Sequence, residues 1–296
     1  MAIPEDQLTT WAQIGAQTTS KDTYATVKMA LNSDEAGYHG RNYEIFLQGS
    51  YGNDTNIRKE SDVDVVIRLD STFSYGIESI PPDQQQAFRQ SHGPAVYTRE
   101  QFRQQVLEIL NARFGQDVDL GTKAVAIKAR GNRRKADVLI AIQHRQYSTY
   151  NGADTTNQVT GISFIKSDGT RVVNYPKQHR ENMIAKNQAT DEWFKHIVRI
   201  YKNARQRMIE DGLIEAGSAP SYYLEGLLYS VPDDKFGTSY DASMVNTINW
   251  LAQADKKKLV CANMQYWLLD RNPDVTWNTA HCTAFLNGLI DLWNNW

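Results

Sequence analysis

The 296-residue chain is predicted to be an α+β protein, a mixed sheet with helices followed by a helical C-terminal region. Short β-branched and aromatic runs bounded by turn residues recur through residues 1–175, the pattern of strands. From 176 onward, apolar residues instead recur at helical spacing. Between two of the early runs stands the turn Gly49-Ser50-Tyr51-Gly52, followed by Asp62-Val63-Asp64-Val65-Val66-Ile67. Side chains at i and i+2 of a strand leave one face, so Asp62 and Asp64 point the same way while Val63, Val65 and Ile67 face a buried layer.

Taken in order, Leu8 to Leu31 reads as a helix and Tyr43 to Gln48 as a strand entering the Gly-Ser turn. Residues 71–95, rich in Gln, Ser and Pro, read as an exposed excursion. Thr98-x-x-Gln101 is a capping box opening a helix that Gly115 closes. Val125–Ile127 and Ala136–Ile142 flank Arg130-Gly131-Asn132 as a hairpin, and Ile162–Ile165 with Arg171–Val173 form a second around Ser167-Asp168-Gly169. Past Tyr175-Pro176, Thr190 is the expected N-cap of a helix with Asp191 and Glu192 in its first turn, ending at Gly212. Further helices are expected at 222–229, 242–254, 259–269 and 279–293. The expected organisation is therefore an α/β core with its N-terminal helix over 1–175 and a helical domain over 176–296.

Composition narrows the function classes. Hydrophobic residues at 41% and charged residues at 22% are ordinary for a soluble globular protein. A formal charge of −2 argues against gripping long nucleic acid through the overall field. The local cluster Lys128, Arg130, Arg133, Arg134 and Lys135 reads equally as a solvated hairpin tip or a binding surface. Cys261 and Cys282 are too few for a zinc site or disulfide framework and fit buried thiols. The first ten residues lack the apolar core of a signal peptide, and no apolar run reaches spanning length, so a cytoplasmic protein without membrane contact is expected. His39, His92, His144, His179, His196 and His281 show no paired ligand spacing and are assigned to structure or solvent. Trp250, Trp267, Trp277, Trp293 and Trp296 are expected to build the helical core.

The chemistry centres on carboxylates. Two adjacent carboxylates repel, a cost most readily accepted when a cation neutralises them. A third acid is expected on a neighbouring strand, and Asp137 qualifies: it sits in an apolar run where an unpaired charge is costly, with Ala136 and Val138 on the opposite face. Three carboxylates from two strands suit a pair of divalent ions, one preparing an attacking hydroxyl and one carrying a leaving pyrophosphate. Asp62, Asp64 and Asp137 are thus the candidate catalytic and metal-binding residues, for Mg²⁺ or alternatively Mn²⁺. Each fragment alone is a weak signal; the conjunction points to nucleotidyl transfer.

These residues resemble the DNA polymerase β-like nucleotidyltransferase superfamily, with its Gly-Ser, Asp-x-Asp and later Asp. Within it the chain is similar to the bacterial CD-NTases, cyclic-oligonucleotide synthases related to cyclic GMP-AMP synthase and the oligoadenylate synthases. The likeness runs through Leu47–Tyr51 and Arg58–Asp64, Val173–Lys177, Phe194-Lys195-x-x-Val198-Arg199-x-x-Lys202-Asn203, and Pro220-Ser221-Tyr222-Tyr223-Leu224-Glu225. It implies a polymerase β-like core whose nucleotide pocket the helical domain completes. By position it assigns Gly49 and Ser50 to the incoming triphosphate, Lys202 and Ser221 to the phosphates, and Tyr222 to stacking on a nucleobase. An ammonium suits phosphate, a serine at a helix N-terminus adds a donor there, and a tyrosine face stacks on any base. Without the resemblance, Lys202, Ser221 and Tyr222 read as a surface lysine, an N-cap serine and a core tyrosine. The implied activity is Mg²⁺-dependent condensation of ATP and a second nucleoside triphosphate into a cyclic di- or trinucleotide messenger, releasing pyrophosphate. The implied setting is bacterial antiphage (CBASS) signalling, with a product-sensing effector protein and a regulatory partner. No zinc-binding insertion of the animal DNA sensor is present, so control by nucleic acid is not supported. The rivals are a nucleotidyltransferase making linear oligonucleotides or modifying RNA or protein, and a catalytically idle nucleotide-binding scaffold.

Overall fold

The computed structural model of the chain describes residues 2–15, 17–59, 62–152 and 157–296. In chain order its elements begin with α1 (Glu5–Trp11), α2 (Thr18–Leu31), β1 (Tyr43–Leu47) and the single turn α3 (Gly49–Gly52). There follow β2 (Val63–Gly76), α4 (Pro82–Ser91), α5 (Arg99–Phe114), β3 (Val118–Leu120), β4 (Val125–Ile127) and β5 (Ala136–Tyr147). Then come β6 (Gln158–Ile165), β7 (Arg171–Asn174), α6 (Pro176–Ala189) and α7 (Trp193–Glu210). The last are α8 (Ser221–Tyr229), α9 (Tyr240–Gln253) and α10 (Thr279–Asn294).

These elements form two compact units. One contains Thr18–Leu47 and Asp62–Tyr175; the other contains Met1–Gln17, Gln48–Ser61 and Pro176–Trp296. The passage from Tyr175 to Pro176 is one of the places where the chain changes unit, and the helical unit also takes in the first segment and the segment after β1.

The first unit is built on a sheet ordered β1-β2-β5-β4-β3, with β6 also on β5 and β7 on β6. β2 and β5 run parallel, whereas the other pairs are antiparallel. The parallel register sets Asp64 directly against Asp137, and Val63 against Ala136. Val63, Val65 and Ile67 are buried as the alternation predicts; Val66 is buried as well, so this strand is covered on both faces. The capping box of α5 forms as expected: Thr98 Oγ1 accepts from Gln101 N at 3.2 Å, and Gln101 Oε1 accepts from Thr98 N at 2.8 Å. Both expected hairpins are present. Residues 71–95 depart from expectation, because β2 continues to Gly76 and α4 follows. Ile77, Ile80 and Phe88, dispersed among polar residues, join Tyr147 and Tyr150 in a separate small core that holds this stretch down.

In the helical unit α7 is the central element. Phe194, Ile197, Val198, Ile200, Tyr201, Ala204 and Met208 are all buried in the main core. Three expectations change here. The helix read over Leu8–Leu31 is two helices, α1 and α2, which belong to different units. α7 starts at Trp193: Thr190 Oγ1 does accept from Phe194 N at 3.1 Å, but Asp191 and Glu192 adopt positive φ (46° and 69°) outside the helix. The stretch 259–269 is not helical; it folds through bridges Val260–Trp267 and Leu269–Trp277, which bury Leu259, Cys261, Ala262 and Leu268. Trp277 is buried, but Trp267 is 42% exposed beneath the Arg271 guanidinium and is not a core residue. Cys261 and Cys282 are free buried thiols. Among the described residues no helix is long and apolar enough to cross a membrane.

Because Phe194 is fully buried among these helices, Phe194→Ala should cost about 3–5 kcal/mol, read as a lowered urea midpoint at unchanged slope.

Candidate active site

Two clusters carry the sequence-predicted site residues, one in each unit. In the sheet unit, Asp64 stands at the start of β2 with Asp62 just before it, and Asp137 is the second residue of β5. Pairing of Asp64 with Asp137 puts both on one face, and the i, i+2 spacing adds Asp62. The acids are bound together by a residue that sequence reading missed as a site residue. Lys135 Nζ lies 2.6 Å from Asp62 Oδ2 and 3.2 Å from Asp137 Oδ2. The hydrogen bond to Asp62, reinforced by the Asp137 charge, raises the Lys135 ammonium above the ordinary lysine value. Lys135 is the residue at i−2 from Asp137, a spacing that would have flagged it.

Among the described residues no three carboxylate, imidazole or thiol groups form a ready metal cage. The donor set nevertheless fits a hard divalent ion: oxygen ligands only, converging from two strands on a cation that the Lys135 ammonium here represents.

Two further cations of the basic hairpin turn inward. Arg133 donates to Asp117 at 2.7 Å and to the Lys128 carbonyl at 2.9 Å, while Arg134 Nε donates to Thr19 Oγ1 at 2.7 Å. With Lys135 committed to the acids, three of the five cations are held by partners, whereas Lys128 and Arg130 stay exposed, Arg130 3.5 Å from Asp117.

The second cluster lies in the helical unit. Gly49 has φ 66°, a left-handed conformation that favours glycine, and it begins the turn that presents Ser50. The following loop is clamped to α7 by three cations at i, i+4 and i+7, which share one helix face. Lys195 Nζ meets Asp54 Oδ2 at 3.0 Å, and Arg199 donates to the Asp54 carbonyl at 2.7 Å. Lys202 Nζ donates to Ser50 Oγ at 2.5 Å and to the Thr55 carbonyl at 3.0 Å. Lys202 is a fully buried lysine, not a surface one.

Its counter-charge is Glu225 of α8, 3.5 Å away. The Glu225 carboxylate also accepts from Thr55 Oγ1 at 2.5 Å and Asn53 Nδ2 at 3.1 Å, and contacts His179 Nε2 at 2.8 Å. Burial pushes the Glu225 carboxyl up, but the Lys202 charge and the His179 and Thr55 hydrogen bonds outweigh it and hold the group at about 2. Ser221 opens α8 and its Oγ accepts from Arg205 at 3.2 Å. The Tyr222 ring stacks on the His179 imidazole with centroids 4.9 Å apart, and its hydroxyl accepts from Asn263 at 2.9 Å. His179 is thus a member of this cluster. Thr55, Lys195, Arg199 and Glu225 are its other unforeseen members; the visible signal was three cations spaced along an apolar helix.

Comparison with known proteins bears on both clusters. Residues 33–142 match the nucleotidyltransferase domain, and residues 181–294 match the cGAS/DncV-like nucleotidyltransferase C-terminal helical domain. The cyclic UMP-AMP synthase of Rhodothermus marinus is 39% identical over 298 residues, taking in 100% of this chain and 99% of that protein. The chain belongs to the bacterial CD-NTase family. As a CD-NTase it is a nucleotidyltransferase, in a family of metal-dependent enzymes. A cyclic nucleotide synthase of Staphylococcus haemolyticus is 31% identical over the full length of both proteins. The structure of the Rhodothermus marinus synthase with Apcpp and Upnpp superposes with a TM-score of 0.89, covering 99% of this CD-NTase and 97% of that chain. The Elizabethkingia meningoseptica cyclic dinucleotide synthase with GTP and Apcpp, 26% identical, gives 0.78 over 99% and 100%. The fold expected from the sequence, a polymerase β-like core with a helical C-terminal domain, is the fold of these CD-NTases.

Two outcomes follow from the geometry. Lys135→Met removes a competing cation from the acids, so the variant should bind Mn²⁺ about three- to tenfold more tightly in an electron paramagnetic resonance titration. Glu225→Gln strands the buried Lys202 charge and should cost about 3 kcal/mol at pH 7. Because the folded Glu225 value lies below the ordinary 4.5, its contribution is complete above that pH and disappears toward pH 2. The difference in denaturation free energy between wild type and variant should shrink accordingly.

Proposed function

We propose that this CD-NTase condenses nucleoside triphosphates into a cyclic di- or trinucleotide messenger with release of pyrophosphate, using Mg²⁺. The observation that carries this reading is the convergence of Asp62 and Asp137 on a single ammonium, with Asp64 in register beside Asp137. Bound there, Mg²⁺ would supply Lewis-acid charge to the reacting phosphate and lower the proton affinity of the attacking 3′-hydroxyl. Asp62, Asp64 and Asp137 would hold it, and Asp137 would help draw the hydroxyl proton. Ser50 and Lys202 would serve the triphosphate, a hydroxyl from the Gly-Ser turn and an ammonium from α7 already 2.5 Å apart. Gly49 lets that loop turn, Ser221 adds a hydroxyl at a helix start, and Tyr222 offers a ring for base stacking, its orientation held by His179 and Asn263. Residues 1–175 and 176–296 would serve as catalytic core and nucleotide-binding helical domain.

ATP with UTP is the first substrate pair to assign, on the likeness to the Rhodothermus marinus synthase. The product would act on a separate effector protein in antiphage signalling within the cytoplasm. Production of linear oligonucleotides is the rival within the same chemistry.

With the four radiolabelled triphosphates and Mg²⁺, the wild-type enzyme should yield a phosphatase-resistant product whose mass identifies ring size and bases. Asp62→Asn and Asp137→Asn should each lower turnover by about a thousandfold or more. Turnover unchanged in both variants refutes the metal assignment; label that phosphatase removes from the product supports the linear rival.

A further inference from the structure

Strand β5 changes neighbours along one edge. Its residues Ala136–Val138 pair with β4, and Ile142–Tyr147 pair with β6, while β2 occupies the other edge. Leu139, Ile140 and Ala141 therefore have no ladder partner on that edge among the described residues. A sheet that parts in this way leaves a crevice, and a cavity of about 290 Å³ opens there. Val138, Ile140 and Ile165 line its apolar part. Val138 and Ile140 alternate with Asp137, so the cavity lies across the sheet from the carboxylate cluster.

Among the charged lining residues cations prevail: Arg99 and Arg103 from the first turns of α5, Lys123 from the β3–β4 turn, and Lys166 after β6, against the single carboxylate Glu100. Arg99 pairs with Glu100, and Lys166 with Asp168 at 3.2 Å. Arg103 and Lys123 are exposed and make no ion pair among the described residues. The positive end of the α5 dipole adds to this field. An apolar floor with a surplus of cations at its rim suits a ligand that has a flat body and several negative charges.

We propose that this crevice is a second nucleotide site, separate from the catalytic one, with the base against the half-buried Ile140 and Ile165 and the phosphates at Arg103 and Lys123. The choice of a nucleotide rests on the substrate class proposed above; the site itself does not. Substrate triphosphate and cyclic product share the required chemistry.

The test is isothermal titration of the full-length protein in EDTA, where metal-dependent binding at the acids is suppressed, with ATP, a cyclic dinucleotide and pyrophosphate as separate probes. Binding of ATP or of the cyclic dinucleotide is expected, whichever is tighter identifying the source, and the Arg103→Glu/Lys123→Glu double variant should weaken it at least about tenfold. Its turnover with Mg²⁺ at low triphosphate concentration should match wild type, which shows that the fold and the catalytic site are intact. Equal affinity in wild type and variant, no binding at millimolar ligand, or pyrophosphate binding as tightly as the nucleotides overturns the proposal. Asp62→Asn should keep the EDTA-resistant binding, so failure of the catalytic assignment and failure of this site are separable.

Discussion

A lysine amine with no exposed surface must find its hydrogen-bond acceptors within the fold, and Lys202 sets that requirement here. Ser50, Thr55 and Glu225 meet it, and in doing so they fix the loop after β1 against α7 and α8. The loop then bends where it must: Gly49 and Asp54 take positive φ, and Asp54 is caught twice, through its carboxylate by Lys195 and its carbonyl by Arg199. A turn that would otherwise sample many conformations is held by three cations on one helix face. Preorganisation of this kind lets binding energy be spent on the transition state rather than on ordering the protein.

The sheet unit solves the opposite electrostatic problem. Asp62 and Asp137 place negative charge where strands meet, and Lys135 neutralises it at 2.6 and 3.2 Å. Membership of the CD-NTase family, shown over the whole length of the Rhodothermus marinus relative, fits this design. Asp64 and Asp137 are held in register by backbone pairing rather than by each other, so the spacing of these two does not depend on the ion they would bind.

The strands and the acids were legible in the sequence because their signals are local. Alternation around Asp62 and Asp64, turn residues at Gly131 and Gly169, and the Thr98 capping box each act within a few residues. What escaped was set by distant contacts. Leu259 to Leu269 has the composition of a helix, yet tertiary burial of Leu259, Cys261 and Leu268 through isolated bridges prevailed over that pattern. Phe88 turned a polar stretch into an ordered one because its partners lie 59 and 62 positions on, at Tyr147 and Tyr150. Glu225 carried no role in the sequence beyond its place in the family-like stretch, and His179 read as structure or solvent; their meeting depends on the buried Lys202, far away in the chain.

The pairing of β2 with β5 also shapes how the protein is made. These parallel strands are joined by a chain that includes α4, α5, β3 and β4, so their contacts are among the most non-local in the sheet. Contacts of high sequence separation close late, after loop entropy has been overcome. A nascent chain can therefore present Asp62 and Asp64 well before Asp137 arrives beside them. On the role proposed for the three acids, a site shared by both strands would form only with this late pairing.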